Sequence, residues 1–202
     1  MPEIARRPRT GTTPSPGRVV ILNGTSSSGK STVVSMFIEQ RAAKGEWWLP
    51  VAIDDFQMKL VPEWANDGPF GEEGMRFVEE PFGIRVHVGK RGRRLHAAYH
   101  RTVAVCAREG FDVIVDDVCL DGEAVADWQE ALAGLDVTWV ALRCDPDVAE
   151  ARERERGDRA VGLARGLSAV VHQHAPYDLE LDSTNTTAVE LVSRLVSHIC
   201  DG

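Results

Sequence analysis

The chain has 202 residues, 43% of them hydrophobic and 27% charged, and carries a net charge of −8 at pH 7. That is enough for one α/β domain with a sizeable core, and the acidic excess argues against a nucleic-acid partner bound by neutralising phosphates. The apolar runs are too short for a membrane span. Cys106, Cys119, Cys144 and Cys200 form no C-x-x-C and have no histidine at metal spacing, so free thiols in a cytoplasmic protein with no membrane partner are expected.

Residues 1–17 are rich in Pro, Thr and Arg and read as a disordered lead-in. Residues 18–202 then form a single domain in which strand and helix patterns alternate. Short β-branched runs at Val19–Asn23, Leu49–Ile53, Asp112–Val115, Val137–Leu142 and Leu179–Asp182 are predicted strands. Between and after them, helices are predicted over Thr32–Lys44, Leu95–Arg108, Gly122–Ala133, Pro146–Arg156, Arg159–His172 and Thr187–His198. Pro146 follows Asp145 as an N1 proline follows a capping residue. The alternation predicts a parallel sheet covered by helices on both faces, a three-layer α/β sandwich. Residues 57–94 interrupt the rhythm with many Gly and Pro. The alternating run Ile84-Arg85-Val86-His87-Val88 there reads as an exposed strand, and the segment as an insertion that covers an acceptor.

The first strand runs directly into Gly24-Thr25-Ser26-Ser27-Ser28-Gly29-Lys30-Ser31, followed by Thr32 at the start of a helix. This is the G-x-x-x-x-G-K-[ST] pattern (Walker A) in the strand–loop–helix context it needs. Backbone N–H groups of such a loop converge on phosphate oxygens, and the helix N-terminus adds its positive dipole end. The ligand expected is ATP, with Lys30 on the β/γ-phosphates and the Ser31 hydroxyl on Mg²⁺.

Two further strands end in paired acids. Val113-Ile114-Val115-Asp116-Asp117 places Asp116 or Asp117 beside the loop as a second Mg²⁺ contact. Val51-Ala52-Ile53-Asp54-Asp55 places Asp54, with Asp55 as its competitor, beyond the carboxyl ends of the strands, where open α/β sheets bind ligands. A carboxylate there can orient an acceptor hydroxyl and take its proton late in attack on phosphorus. Arg152, Arg156 and Arg159 are spaced by four and three and form a candidate lid over the phosphates, about residues 152–160. Trp47, Trp48 and Trp64, and His96 with His100, are candidates for the acceptor side.

Taken together these segments resemble the chloramphenicol phosphotransferase family of P-loop kinases, within the nucleoside-monophosphate-kinase-like fold. The resemblance rests on Asn23-Gly24 with Ser26–Ser31, Ile114-Val115-Asp116-Asp117-Val118, Leu142-Arg143-Cys144-Asp145, Arg156-Gly157-Asp158-Arg159, Val170-Val171-His172 and Tyr177-Asp178. It implies a five-stranded sheet of order 2-3-1-4-5 and an ATP- and Mg²⁺-dependent kinase that phosphorylates a small-molecule hydroxyl. In the family's type member that acceptor is the antibiotic chloramphenicol, which links the fold to antibiotic resistance. It also implies that Asp54 is the base. A nucleoside, nucleotide or metabolite kinase and a non-catalytic ATP-binding regulator are the alternatives. The sequence is compatible with a homo-oligomer without requiring one.

Overall fold

The computed structural model describes residues 14–57, 60–157 and 160–201. Among these residues seven strands run in chain order as β1 (Val19–Asn23), β2 (Trp48–Ala52), β3 (Met75–Glu80), β4 (Gly83–Val88), β5 (Asp112–Asp117), β6 (Val137–Arg143) and β7 (Leu179–Asp182). The helices are α1 (Lys30–Ala42), α2 (Asp54–Gln57), α3 (Lys90–Arg108), α4 (Gly122–Ala131), α5 (Pro146–Arg156), α6 (Leu163–Ser168) and α7 (Ala188–Asp201). Five strands form a parallel sheet ordered β2-β5-β1-β6-β7, while β3 and β4 pair with each other as a separate antiparallel hairpin. Leaving out that hairpin, the sheet strands run 2-3-1-4-5 in chain order.

The central strand β1 is buried along its whole length, which is why it reads as an unbroken apolar run instead of an alternation. Its side chains still divide by parity. Val19 and Ile21 join the core formed with α3 and α4, including Tyr99, Val103 and Trp128. Val20 and Leu22 join the core on the other face with α1 and α7, including Phe37, Leu191 and Leu195. Pro50 sits within β2, where it is tolerated because β2 is an edge strand.

Several elements differ from expectation. The predicted lead-in mostly lies outside the described residues, but Gly17 belongs to the domain. It is buried, and its N–H donates to the Ala107 carbonyl at 2.8 Å. A Cβ at Gly17 would meet the Phe111 carbonyl oxygen at 2.1 Å, so the chain enters the fold through a glycine-only contact. The predicted helix over Arg159–His172 is only α6, whose start is fixed by Gly162 in the left-handed region (φ 101°). The insertion is largely ordered: β3 pairs with β4 in the register Phe77↔Val86. Residues on the hairpin and α6 share a small apolar cluster of Ile84, Leu163 and Leu167, with Val86, Val118 and Leu120 packed against it.

On the α3–α4 face, His100 is 3% exposed and stacks on Trp128 with ring centroids 4.0 Å apart. Its Nδ1 is buried without a hydrogen-bond partner, and burial lowers its pKa to about 3. An unfolded histidine protonates near 6.5, so between pH 6.5 and 3 the unfolded chain binds a proton that the native chain refuses. Stability from this group is therefore complete above pH 6.5 and is lost as the pH falls through that window. Asp117 beside it, raised by burial, has the opposite sign above its ordinary value of 3.8. Burial also lowers His96, and lowers His172 to about 4, with the same sign. Melting temperature should therefore fall between pH 6.5 and 4, and His100→Phe should reduce that slope without removing it. An unchanged slope in a folded variant would show that His100 does not drive it.

Candidate active site

The loop between β1 and α1 leaves the sheet where the carboxyl ends of β1 and β5 lie side by side, with Leu22 opposite Asp116 and Asn23 opposite Asp117. Its turns require unusual backbone: Ser27 (φ 55°) and Gly29 (φ 95°) are both left-handed, a conformation that turns successive N–H groups inward. Gly24 has no room for a side chain, because a Cβ would stand 2.6 Å from the Leu142 carbonyl oxygen. Helix α1 starts at Lys30 with no side-chain cap and no acid in its first turn. Its first N–H groups are thus left for an external anion. The hydroxyls of Ser26, Ser27 and Ser28 are buried without protein partners, as expected of a loop whose partners are phosphate oxygens.

Three tethers hold the loop. Thr25 Oγ1 donates to the Ala164 carbonyl at 2.8 Å, Ser183 Oγ donates to the Ser28 carbonyl at 2.7 Å, and Asn23 is locked below it. Fully buried Asn23 donates to the Val171 carbonyl (2.8 Å) and the Tyr177 hydroxyl (2.6 Å), and accepts from the Cys119 N–H (2.9 Å). Tyr177 also meets His172 Nδ1 at 2.8 Å. These contacts give a physical role to the Val170–His172 and Tyr177-Asp178 segments, which carried the resemblance without one.

Lys30 Nζ donates to the carbonyls of Gly24 (3.0 Å) and Thr25 (2.9 Å) and lies 3.6 Å from Asp116 Oδ1. Ser31 Oγ donates to Asp116 Oδ2 at 2.8 Å. Lys30, Ser31 and Asp116 are therefore one cluster, and the hydroxyl–carboxylate pair is the hard oxygen donor set that suits Mg²⁺. Among the described residues no cluster of His, Cys, Asp and Glu forms a protein-only metal cage. Mg²⁺ needs none, since it keeps water and takes phosphate oxygens.

The paired acids of β5 part company. Asp117 points to the α3–α4 face, 3% exposed, and accepts from Trp128 Nε1 at 2.7 Å and Cys119 Sγ at 3.1 Å. Its carboxylate is therefore turned away from the Ser31–Asp116 pair: successive residues of a strand face opposite ways, and Asp117 follows Val113 and Val115 into the core. The second pair divides as well. Asp54 opens α2 and lines the principal cavity. Asp55 is exposed and accepts the Ala52 N–H at 3.1 Å, closing the turn after β2.

That cavity, about 500 Å³, contains Lys30, Ser31, Asp54, Asp116 and Arg156 in its wall. Much of the remaining wall is apolar, including Ile53, Met75, Phe77, Val86 and Leu163. A second cavity of about 400 Å³ lies on the other side of the loop and shares Ser27, Gly29 and Thr32 with the first. Arg156 lines both. Arg152 lines only the second, where its guanidinium donates to the Ser183 carbonyl at 2.8 Å. Arg159 lies outside the described residues. Of the aromatic candidates, Trp48 packs on Phe37 in the core, Trp47 is 76% exposed beside Phe111, and Trp64 stacks on Phe70; none lines the principal cavity. His96 and His100 do not line it either, although His96 Nε2 meets Gln57 Nε2, a cavity residue, at 3.3 Å.

Sequence reasoning missed Glu153. It looked like one of several solvated acids on a charged helix, yet it is fully buried and accepts from the N–H groups of Gly162 (3.1 Å) and Ala164 (2.8 Å). It thus ties α5 to the start of α6, and Thr25 then ties α6 to the loop. The hairpin joins the same body, because Ile84 N–H donates to the Gly162 carbonyl at 2.9 Å. A Cβ at Gly166 would stand 2.0 Å from the Ile84 carbonyl oxygen, so only glycine permits this approach.

A family profile described as chloramphenicol phosphotransferase-like protein matches residues 17–200. Proteins of two Mycobacterium tuberculosis strains, CDC 1551 / Oshkosh and ATCC 25618 / H37Rv, provisionally named O-phosphotransferases, are each 32% identical over 184 residues, 89% of this chain and 80% of their own. Among solved structures, the APS kinase of M. tuberculosis in complex with AMPPNP and APS superposes with a TM-score of 0.67 at 16% identity, covering 92% of this chain and 99% of that one. A sugar kinase from Janibacter sp. HTCC2649 gives 0.65 at 18% identity, over 91% and 95%. A gluconokinase from Sinorhizobium meliloti 1021 gives 0.56 at 15%, over 93% and 94%. At these identities the structures establish the fold, that of P-loop kinases. No helix among the described residues is long and apolar enough to cross a membrane.

Proposed function

The chain belongs to the chloramphenicol phosphotransferase-like family, and on that premise we propose that it is an ATP-dependent O-phosphotransferase acting on the hydroxyl of a small, uncharged, largely apolar molecule. One observation carries the reading. A single cavity has the phosphate loop and the Ser31–Asp116 pair in its wall together with Asp54 and an extended apolar surface. Among the described residues its lining cations are Lys30 and Arg156, both suited to the donor phosphates. An anionic acceptor, such as a nucleotide or a sugar acid, would meet Asp54 and apolar wall, with no further cation among the described lining residues. An antibiotic of the chloramphenicol type falls within the class that the cavity suits.

In the proposed reaction, loop N–H groups and Lys30 hold the β- and γ-phosphates. Ser31 and Asp116 would hold Mg²⁺, which neutralises charge on the phosphate oxygens. The nucleoside extends into the second cavity past Arg152, while Arg156, which lines both cavities, meets the phosphates. Asp54 orients the acceptor hydroxyl in line with the γ-phosphorus. The acceptor oxygen bonds to phosphorus as the bond to the β–γ bridging oxygen breaks, ADP leaves, and the hydroxyl proton passes to Asp54.

The test is an acceptor screen with ATP and Mg²⁺, read by mass for the gain of one phosphoryl group. It should include chloramphenicol, other apolar alcohols, nucleosides, nucleotides and sugar acids. Transfer confined to the uncharged apolar alcohols is expected. Transfer only to nucleotides or sugar acids would overturn the proposed acceptor class, and transfer to none of the compounds would favour an ATP-binding regulator.

A further inference from the structure

A third cavity, about 420 Å³, lies behind the acceptor cavity between the hairpin and α6. The two share three wall residues, Val86, Leu120 and Leu167. Leu120 alone also lines the small pocket of about 20 Å³ at His96, His100 and Asp117. It follows β5 in the segment before α4 and packs against the Ile84–Leu163–Leu167 cluster. One isobutyl group therefore stands where three hollows meet.

We propose that Leu120, backed by Val86 and Leu167, is the partition that ends the acceptor cavity and sets the greatest length of acceptor it admits. The inference rests on the reading of the principal cavity as the acceptor site. The chemistry behind the partition differs from that in front. Arg85 pairs with Glu80 at 3.1 Å, Arg93 with Asp121 at 3.2 Å, and Arg165 with Glu150 at 2.6 Å and with Asp147. These guanidiniums of the rear cavity are neutralised, so it presents no net demand for an anion. What it adds is room for a longer uncharged chain, with paired polar groups at its rim. The hydrophobic gain from each methylene that stays within an apolar wall is roughly fourfold in affinity. That gain stops where the chain meets Leu120.

The partition can be read without turnover. Leu163 lines only the front cavity and Val170 only the rear one, so their ¹³C-methyl resonances report which is filled. The probe is a series of n-alkanols of increasing length, titrated into the full chain. In the wild type, Leu163 should respond, affinity should climb roughly fourfold per methylene to a cutoff, and Val170 should stay unmoved. In Leu120→Ala the cutoff should move up by about the length of the group removed, with Val170 now responding. Leu120→Phe should shorten the cutoff, which keeps the test decisive if the alanine variant does not fold. A Val170 response in the wild type, an unchanged cutoff in folded variants, or no alkanol reaching Leu163 would overturn the partition. Phosphoryl transfer to the bound alkanols is scored separately: a shifted cutoff with no transfer from ATP would leave the partition standing and count against the kinase reading.

Discussion

Asp54→Asn should lower acceptor turnover by about 10²–10⁴-fold, with the lower part of that range expected, while leaving ATP affinity nearly unchanged. The separation follows from topology. Asp54 opens α2 after β2, whereas the phosphate loop follows β1, and β5 lies between those strands. Asparagine keeps the size of the side chain and its capacity to hydrogen-bond, but cannot accept the hydroxyl proton. In a loose phosphoryl-transfer transition state the proton leaves late, so part of the effect of Asp54 is orientation, which asparagine partly preserves. Asp55→Asn is the matched control: it touches an exposed carboxylate whose partner is the Ala52 N–H. Its turnover should stay within a few-fold of wild type. Loss of turnover in the Asp55 variant with retention in the Asp54 variant would reverse the assignment.

The contrast between these neighbours marks how much the sequence can convey. A strand ending in two acids announces that one of them sits at the carboxyl edge of the sheet. It does not announce which, because that depends on which face meets the phosphate loop. For β5 the answer is in the parity of the strand. Val113, Val115 and Asp117 share one face, while Ile114 and Asp116 share the other. The parity is legible from residues alone. That the Ile114 face is the one carrying α1 is not, because it requires the crossover from β1 to be placed first. Once α1 is on that face, Asp116 must be the acid that meets Ser31 and Lys30.

The alternating core was legible because its signals are local: apolar strands, a capping Asp145 before Pro146, and the loop pattern itself. Asp145 does accept from the N–H groups of Asp147 and Val148. The insertion was less legible because its order comes from contacts distant in sequence. Strand β3 pairs with β4, but the stability of both also depends on α6, about 80 residues further on. Glu153 fails to stand out for the same reason. Its sequence neighbours Arg152 and Arg154 suggest a solvated charge, whereas its partners are two backbone N–H groups beyond Gly157. An acid read from charge pattern alone cannot be told from a buried acceptor that caps a neighbouring helix.

Lys30→Ala should abolish the donor half of the site where Asp54→Asn leaves it intact, with transfer falling by about 10²–10³-fold. Lys30 is 7% exposed, and the described partners of its Nζ are two loop carbonyls and Asp116. The ammonium is thus held at the cavity wall by its own loop, in reach of negative charge arriving there. Arginine should not substitute, because a planar guanidinium cannot occupy the compact point between the Gly24 and Thr25 carbonyls. ATP with Mg²⁺ at about a hundred times its Kd stabilises a native protein by about 2.7 kcal/mol. For a domain of this size that corresponds to a rise in Tm of about 5–11 °C. The rise should be present in wild type and in Asp54→Asn, and should shrink sharply in both Lys30→Ala and Lys30→Arg. This readout needs no acceptor, so it tests the phosphate loop before the substrate is known. A Lys30→Ala protein that keeps the full ATP-induced rise would show that the lysine does not carry the donor phosphates, whatever the outcome at Asp54.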